Sequence, residues 1–133
     1  MNMIQVKDLY KEYGKAGARV MALGGINLEV PRGQFLAIVG PSGSGKSTLL
    51  HMLGGVDRPT SGQIFIDGTD ITQLDATKLA VFRRRQIGLI YQFYNLLPVL
   101  NVRENIQLPL LLDGRKPDPV QVEGLISNLG LYD

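Results

Sequence analysis

The 133-residue chain is 44% hydrophobic, 20% charged and 7% aromatic, long enough for one domain with a core and too apolar to be disordered. It has no cysteine, which excludes a disulfide framework and a thiolate zinc site, and its net charge of +2 gives little basis for a nucleic-acid partner. Met1 to Tyr10 holds no long apolar core, and the longest apolar runs are about five residues against the roughly 20 needed to cross a bilayer, so the expectation is a soluble, intracellular protein.

Met3 to Leu9 alternates loosely and predicts a strand, with a loop from Tyr10 to Val20. Ile26 to Val30 alternates apolar with polar, a half-exposed strand. Phe35 to Val39 is apolar throughout, which predicts a strand buried on both faces as in a parallel sheet. Lys46 to Leu53 has helical composition and ends at Gly54-Gly55; Leu49, Leu50, Met52 and Leu53 are its expected core residues. Gln63 to Ile66 predicts a short strand closed by a turn at Asp67-Gly68. Asp75 can cap a helix through about Arg85, on which Lys78 and Arg83 to Arg85 read as a solvated face. Ile87 to Tyr91 is a second buried-type strand. Asn101 and Glu104 have capping-box spacing, and Pro109 is expected to bend or end the helix they start. Leu108 to Leu112 reads as a buried helix end. Asp118, Pro119 and Gln121 repeat the cap, first-turn proline and reciprocal cap, with a stop near Gly130.

The 16 glycines, about 12% of the chain against roughly 7% typically, have one informative cluster. Gly40-Pro41-Ser42-Gly43-Ser44-Gly45-Lys46-Ser47 matches G-x-x-x-x-G-K-[ST] in full, between an apolar run and a helical stretch. Glycines there let successive backbone N–H groups converge on one anion, and the helix that follows adds its N-terminal partial charge. Lys46 would meet β- and γ-phosphates, Ser47 a Mg²⁺ ion and Thr48 the α-phosphate. The motif predicts nucleotide-phosphate binding without choosing between transporters, kinases and GTPases.

Further segments narrow the choice. Leu9 to Gly14, Ala22 to Ile26, Pro59 to Ile64 with Asp67-Gly68, Ile87 to Gln92, Asn95 to Pro98 and Val102 to Ile106 follow one another around the loop. In that order and spacing the chain resembles the ATP-binding cassette (ABC) family over nearly its whole length. The stretch from Arg83 to Pro98 is most similar to the branch serving lipoprotein release, macrolide export and peptide-antibiotic resistance. The resemblance implies an α/β fold, a P-loop NTPase core with an antiparallel β subdomain, and makes residues 1–133 the N-terminal part of one ATP-binding domain.

It also implies residue roles. Gly40, Ser42, Gly43, Ser44, Gly45, Lys46, Ser47 and Thr48 would hold the phosphates of ATP. Tyr13 would stack on adenine, though on periodicity alone it reads as a core or surface tyrosine. Gln92 would contact Mg²⁺ or the attacking water and, with Lys46, serve catalysis; without the resemblance it is an exposed loop glutamine. The segment from Gln92 to Leu100 would receive a transmembrane permease subunit, and a second ATP-binding subunit would pair head to tail at the cytoplasmic face of the membrane. A nucleic-acid partner is not expected, because the spacing from the loop to Gln92 is compact.

The family's Walker-B aspartate with its glutamate, its signature and its switch histidine have no match here. Phe65-Ile66-Asp67 and Thr60-Ser61-Gly62-Gln63 echo two of them and read as turns, and His51 lies inside the loop's own helix. The expectation is the first half of a larger domain, binding nucleotide weakly by itself and turning it over negligibly, while the complete subunit is an ATPase. The rival readings are an ATP-binding regulator that does not hydrolyse, and an ABC-type ATPase acting on nucleic acid.

Overall fold

The computed structural model describes residues 2–15 and 17–131. It divides into two compact units, Met1–Arg83 and Arg84–Asp133. The first is built on an antiparallel sheet of order β2-β1-β3-β4. β1 (Asn2–Tyr13) and β2 (Val20–Pro31) form a long ribbon in which Val6 lies opposite Leu28 and Tyr13 opposite Val20. The loop expected from Tyr10 to Val20 is therefore shorter, because Tyr10 to Tyr13 extend the ladder with cross-strand partners that local alternation does not reveal. The ladder is interrupted at Asp8, whose φ is 44°. The Asp8 N–H donates to Asn27 Oδ1 at 3.0 Å, and Asn27 Nδ2 returns a bond to Asp8 Oδ1 at 3.1 Å.

That bulge drives the Asp8 carbonyl against β3 (Ser61–Ile66), where a Cβ on Gly62 would lie 2.2 Å from the oxygen. Only glycine fits. Ser61 to Gln63 are thus part of a strand rather than a turn: Ser61 pairs with Tyr10, and the Thr60 N–H donates to the Tyr10 carbonyl at 2.8 Å. Asp67 and Gly68, both left-handed, do form the hairpin turn from β3 into β4 (Thr69–Asp70).

Val6, Leu9, Leu23, Val30, Ile64 and Ile66 form the sheet's contribution to the core. Leu49 and Met52 of α1 (Lys46–Leu53) join them, each fully buried aliphatic contributing about 1.5–3 kcal/mol. Leu50, expected inside, is 48% exposed, so α1 buries one stripe and not its whole circumference. Asp75 caps α2 (Ala76–Gln86) by accepting from the Lys78 N–H at 2.8 Å. Arg83 donates to the Gly55 carbonyl at 2.9 Å, close to where Leu79 packs on the same turn. Arg83 is thus bound to the chain rather than solvated.

In the second unit, Asn101 and Glu104 close a capping box on α3 (Val102–Leu112). Pro109 does not end this helix; it removes one donor, and the Asp113 N–H closes the last turn on the carbonyls of Pro109 and Leu110 at 3.2 and 3.1 Å. Leu111 and Leu112 are 54% and 65% exposed, against the expected buried end. Asp118 caps α4 (Pro119–Asn128) through the Val120 N–H at 2.9 Å, without the reciprocal Gln121 bond among the described residues. The bonds from Gly130 to Ser127 and from Leu131 to Ile126, both 3.0 Å, close a Schellman motif at its end. Arg84 and Arg85, expected to be solvated, converge with Arg115 on Asp113, their Nε atoms 2.7, 3.1 and 3.0 Å from its carboxylate. Ion pairing overrides solvation there because the Asp113 side chain is only 4% exposed.

The two apolar runs expected as buried parallel strands, residues 35–39 and 87–91, join no sheet among the described residues. Phe35, Val39 and Ile90 are 95%, 86% and 98% exposed. A parallel strand exists only as part of a ladder, and the described residues supply no neighbour for either run.

Candidate functional site

Residues 40–45 reach α1 through a tight loop. Gly45, the N-cap, is left-handed with φ 89°, and a Cβ there would lie 2.5 Å from the Ala22 carbonyl oxygen of β2. The ribbon and the helix start therefore meet backbone to backbone, which only glycine permits. The first ladder bond of α1 runs from Leu49 N–H to Gly45 O at 2.9 Å. The amide groups of Lys46, Ser47 and Thr48 precede that rung and have no intrahelical acceptor. Asp75, Asn101 and Asp118 cap the other three helices with side-chain oxygens, whereas no side chain caps α1. A helix start of this kind, with free donors and the positive end of the dipole, suits an anion.

Lys46 turns back into the loop. Its Nζ donates to Gly40 O at 2.8 Å, to Pro41 O at 2.6 Å and to Ser44 Oγ at 3.3 Å. The Ser44 N–H donates to Pro41 O at 3.3 Å and tightens the bend. Beside the loop is an open cleft of about 280 Å³, walled by Leu23, Ile26, Ile38 and Leu49 on its apolar side. Ser47 is exposed and Thr48 half-buried, both in the first turn of α1.

Tyr13, the last residue of β1, is 42% exposed. Its hydroxyl donates to Asp57 Oδ2 at 3.0 Å, and the Lys11 ammonium lies 2.8 Å from the same oxygen and 4.7 Å from the ring centroid. Burial raises the Tyr13 phenol above its ordinary value, and the bond to Asp57 and that carboxylate's charge raise it further, against the opposing pull of Thr48 and Lys11. For Asp57, burial pushes upward, but the bonds from Lys11, the Arg58 N–H and Tyr13 together outweigh it and hold the carboxyl below its ordinary value.

Gln92 lies in the second unit at an exposed bend. After it, Phe93, Tyr94 and Val99 are 76%, 88% and 89% exposed. Asn105 of α3 braces this segment, accepting from the Leu97 N–H at 2.9 Å and donating to the Leu97, Leu100 and Asn101 carbonyls at 3.0–3.2 Å. The structure thus brings Tyr13 and the phosphate loop together in one unit, while Gln92 belongs to the other. Sequence reasoning did not single out Asp57, Lys11 or Asn105. Asn105 does carry a faint local signal, an amide one turn after a helix cap. The described residues hold no cluster of three or more His, Asp or Glu side chains able to cage a metal, and no helix long and apolar enough to cross a membrane.

A glycine-rich loop feeding a helix with no side-chain cap, with a lysine folded into it, places the chain in the P-loop class. The sequence model of the ABC transporter family matches residues 23–133, and the chain belongs to that family. It is 48% identical over 132 residues to the lipoprotein-releasing system ATP-binding protein LolD of Geobacter metallireducens, covering 98% of this chain and 59% of that protein. It is 41% identical over 131 residues to the macrolide export ATP-binding/permease protein MacB of Marinobacter nauticus, covering 97% of this chain and 20% of that one. Among solved structures it is similar to the ATP-binding cassette MJ0796, a dimer in a post-hydrolysis state bound to ADP and Pi. The TM-score is 0.82 at 38% identity over 90% of this chain and 52% of the other. The fold is that of part of the α/β P-loop cassette, and the chain spans between half and two thirds of the LolD and cassette lengths it matches.

Proposed function

We propose that this chain carries the nucleotide-binding part of an ABC subunit that couples Mg·ATP binding and hydrolysis to work by a membrane partner. The observation that carries this reading is the Lys46 ammonium held inside a loop whose helix start has no side-chain cap. Lys46 answers the β- and γ-phosphates, and the backbone of Gly40, Ser42, Gly43, Ser44 and Gly45 surrounds them. Thr48 reaches the α-phosphate, and Tyr13 stacks on the adenine. The Ser47 hydroxyl fits Mg²⁺, an ion that takes few protein ligands and shares phosphate oxygens. Bound there, the ion neutralises phosphate charge. Gln92 serves the ion or the attacking water. The exposed apolar segment that follows receives a permease subunit, supported by the names of the relatives and by its exposure. The pairing proposed is head to tail with a second subunit, at the cytoplasmic face of a membrane; the dimeric state of the cassette MJ0796 supports pairing as such.

Calorimetric titration of the chain with ATP tests the central point. Lys46→Ala is expected to weaken binding about tenfold or more, the loss of charge-assisted bonds to phosphate. Unchanged affinity would refute the reading.

A further inference from the structure

The cluster around Tyr13 is more elaborate than a surface tyrosine needs. A phenol in a ring 42% exposed can reach water, yet its hydroxyl is held by Asp57 at 3.0 Å. The same carboxylate oxygen holds Lys11 at 2.8 Å, and the Arg58 carbonyl accepts a second bond from that ammonium at 2.6 Å. The Arg58 N–H in turn donates to Asp57 Oδ1 at 2.7 Å, which fixes the carboxylate. Lys11 therefore stands at a defined place, 4.7 Å from the ring centroid, and covers one face of the ring.

Asp57 itself comes from the turn that leaves α1. The Val56 and Asp57 N–H groups reach back to the His51 carbonyl at 3.0 and 3.5 Å, which ties the turn to the helix. A single eight-residue helix thus carries the phosphate loop at its start and, through this turn, the carboxylate that orients Tyr13 at its end.

We infer that Asp57 is a positioning residue for nucleobase recognition: by holding the Tyr13 hydroxyl and the Lys11 ammonium together, it fixes the ring with one face closed by lysine and the opposite face presented to the base. This rests on the reading of Tyr13 as the base platform. A ring already fixed loses less freedom when a base stacks on it, so the carboxylate contributes to affinity for the nucleoside part of the ligand without touching it.

The test compares ATP with inorganic tripolyphosphate, which lacks the base, in calorimetric titrations of the full 133-residue chain. Tyr13→Ala first tests the platform: ATP should bind more weakly and tripolyphosphate as before, and without an ATP-selective loss the platform reading itself falls. Asp57→Ala and Tyr13→Phe, which keeps the ring but removes the held hydroxyl, are each expected to weaken ATP roughly three- to tenfold and leave tripolyphosphate unchanged. The double variant should be little weaker than Asp57→Ala alone, which already removes the bond that Tyr13→Phe removes. If Tyr13→Ala is ATP-selective while Asp57→Ala and Tyr13→Phe bind ATP normally, the inference is overturned and the platform stands. Equal losses for both ligands would make Asp57 a merely structural residue. Tyr13→Phe keeps the question open to measurement should Asp57→Ala fail to fold.

Discussion

At Gly45 the backbone meets two demands at once, a left-handed conformation and a gap between the helix start and β2. A methyl group there would sit 2.5 Å from a carbonyl oxygen that is itself part of the ribbon. Gly45→Ala is therefore expected to destabilise the chain by about 1–3 kcal/mol. Urea unfolding followed by circular dichroism measures this, since the sequence has no tryptophan to report by fluorescence. An unchanged midpoint would mean that β2 and the loop do not meet as described. The residues of the loop itself were legible in the sequence because the motif is contiguous and each position has its own chemical requirement. The Tyr13 cluster was not: Tyr13 and Asp57 are 44 positions apart, and nothing near either residue announces the other.

Among the elements, α2 and α4 lie close to where their caps and ends were expected, α1 stops at its glycines, and α3 starts at its capping box but runs past Pro109; the signals that succeed act within one turn. Strand ends were less legible, since β1 runs on to Tyr13 only by virtue of a partner that local alternation cannot show. The end of α3 shows a further interaction hidden from sequence, three guanidinium groups on Asp113. Burial pushes this carboxyl up, but the bonds and charges of Arg85 and Arg84 more than compensate and depress it below its ordinary 3.8. A depressed acid stabilises the fold above its unfolded value and loses that contribution as pH falls through its folded value. Below pH 3.8 the chain should lose stability in an acid titration followed by circular dichroism. Asp113→Asn should be less stable at neutral pH and show a shallower acid dependence in that window. The same slope in both proteins would remove Asp113 from the account.

Across the whole molecule, large apolar side chains stand exposed in both units, Phe35 and Val39 in the first and Ile90, Phe93 and Tyr94 in the second. Composition marked residues 35–39 and 87–91 as interior without saying what covers them, and the sheet of the described residues covers neither. Exposed apolar side chains of this kind bind hydrophobic dyes and promote association. The 133-residue chain is expected to bind 1-anilinonaphthalene-8-sulfonate under native conditions, with less fluorescence in a Phe35→Lys, Val39→Thr variant. A native chain silent to the dye would mean that these runs are covered in solution.

Lys46, folded onto Gly40 O and Pro41 O, is the loop's own resident ligand. Its ammonium has two neutral acceptors within the loop, at 2.8 and 2.6 Å. An incoming anion gains that cation only by offering better acceptors than two neutral carbonyls. One weakly charged oxygen gives little reason for the ammonium to leave, whereas a chain of phosphates presents several charged oxygens at once. On the proposed reading, binding at Lys46 is an exchange of acceptors, which favours multiply charged ligands over singly charged ones.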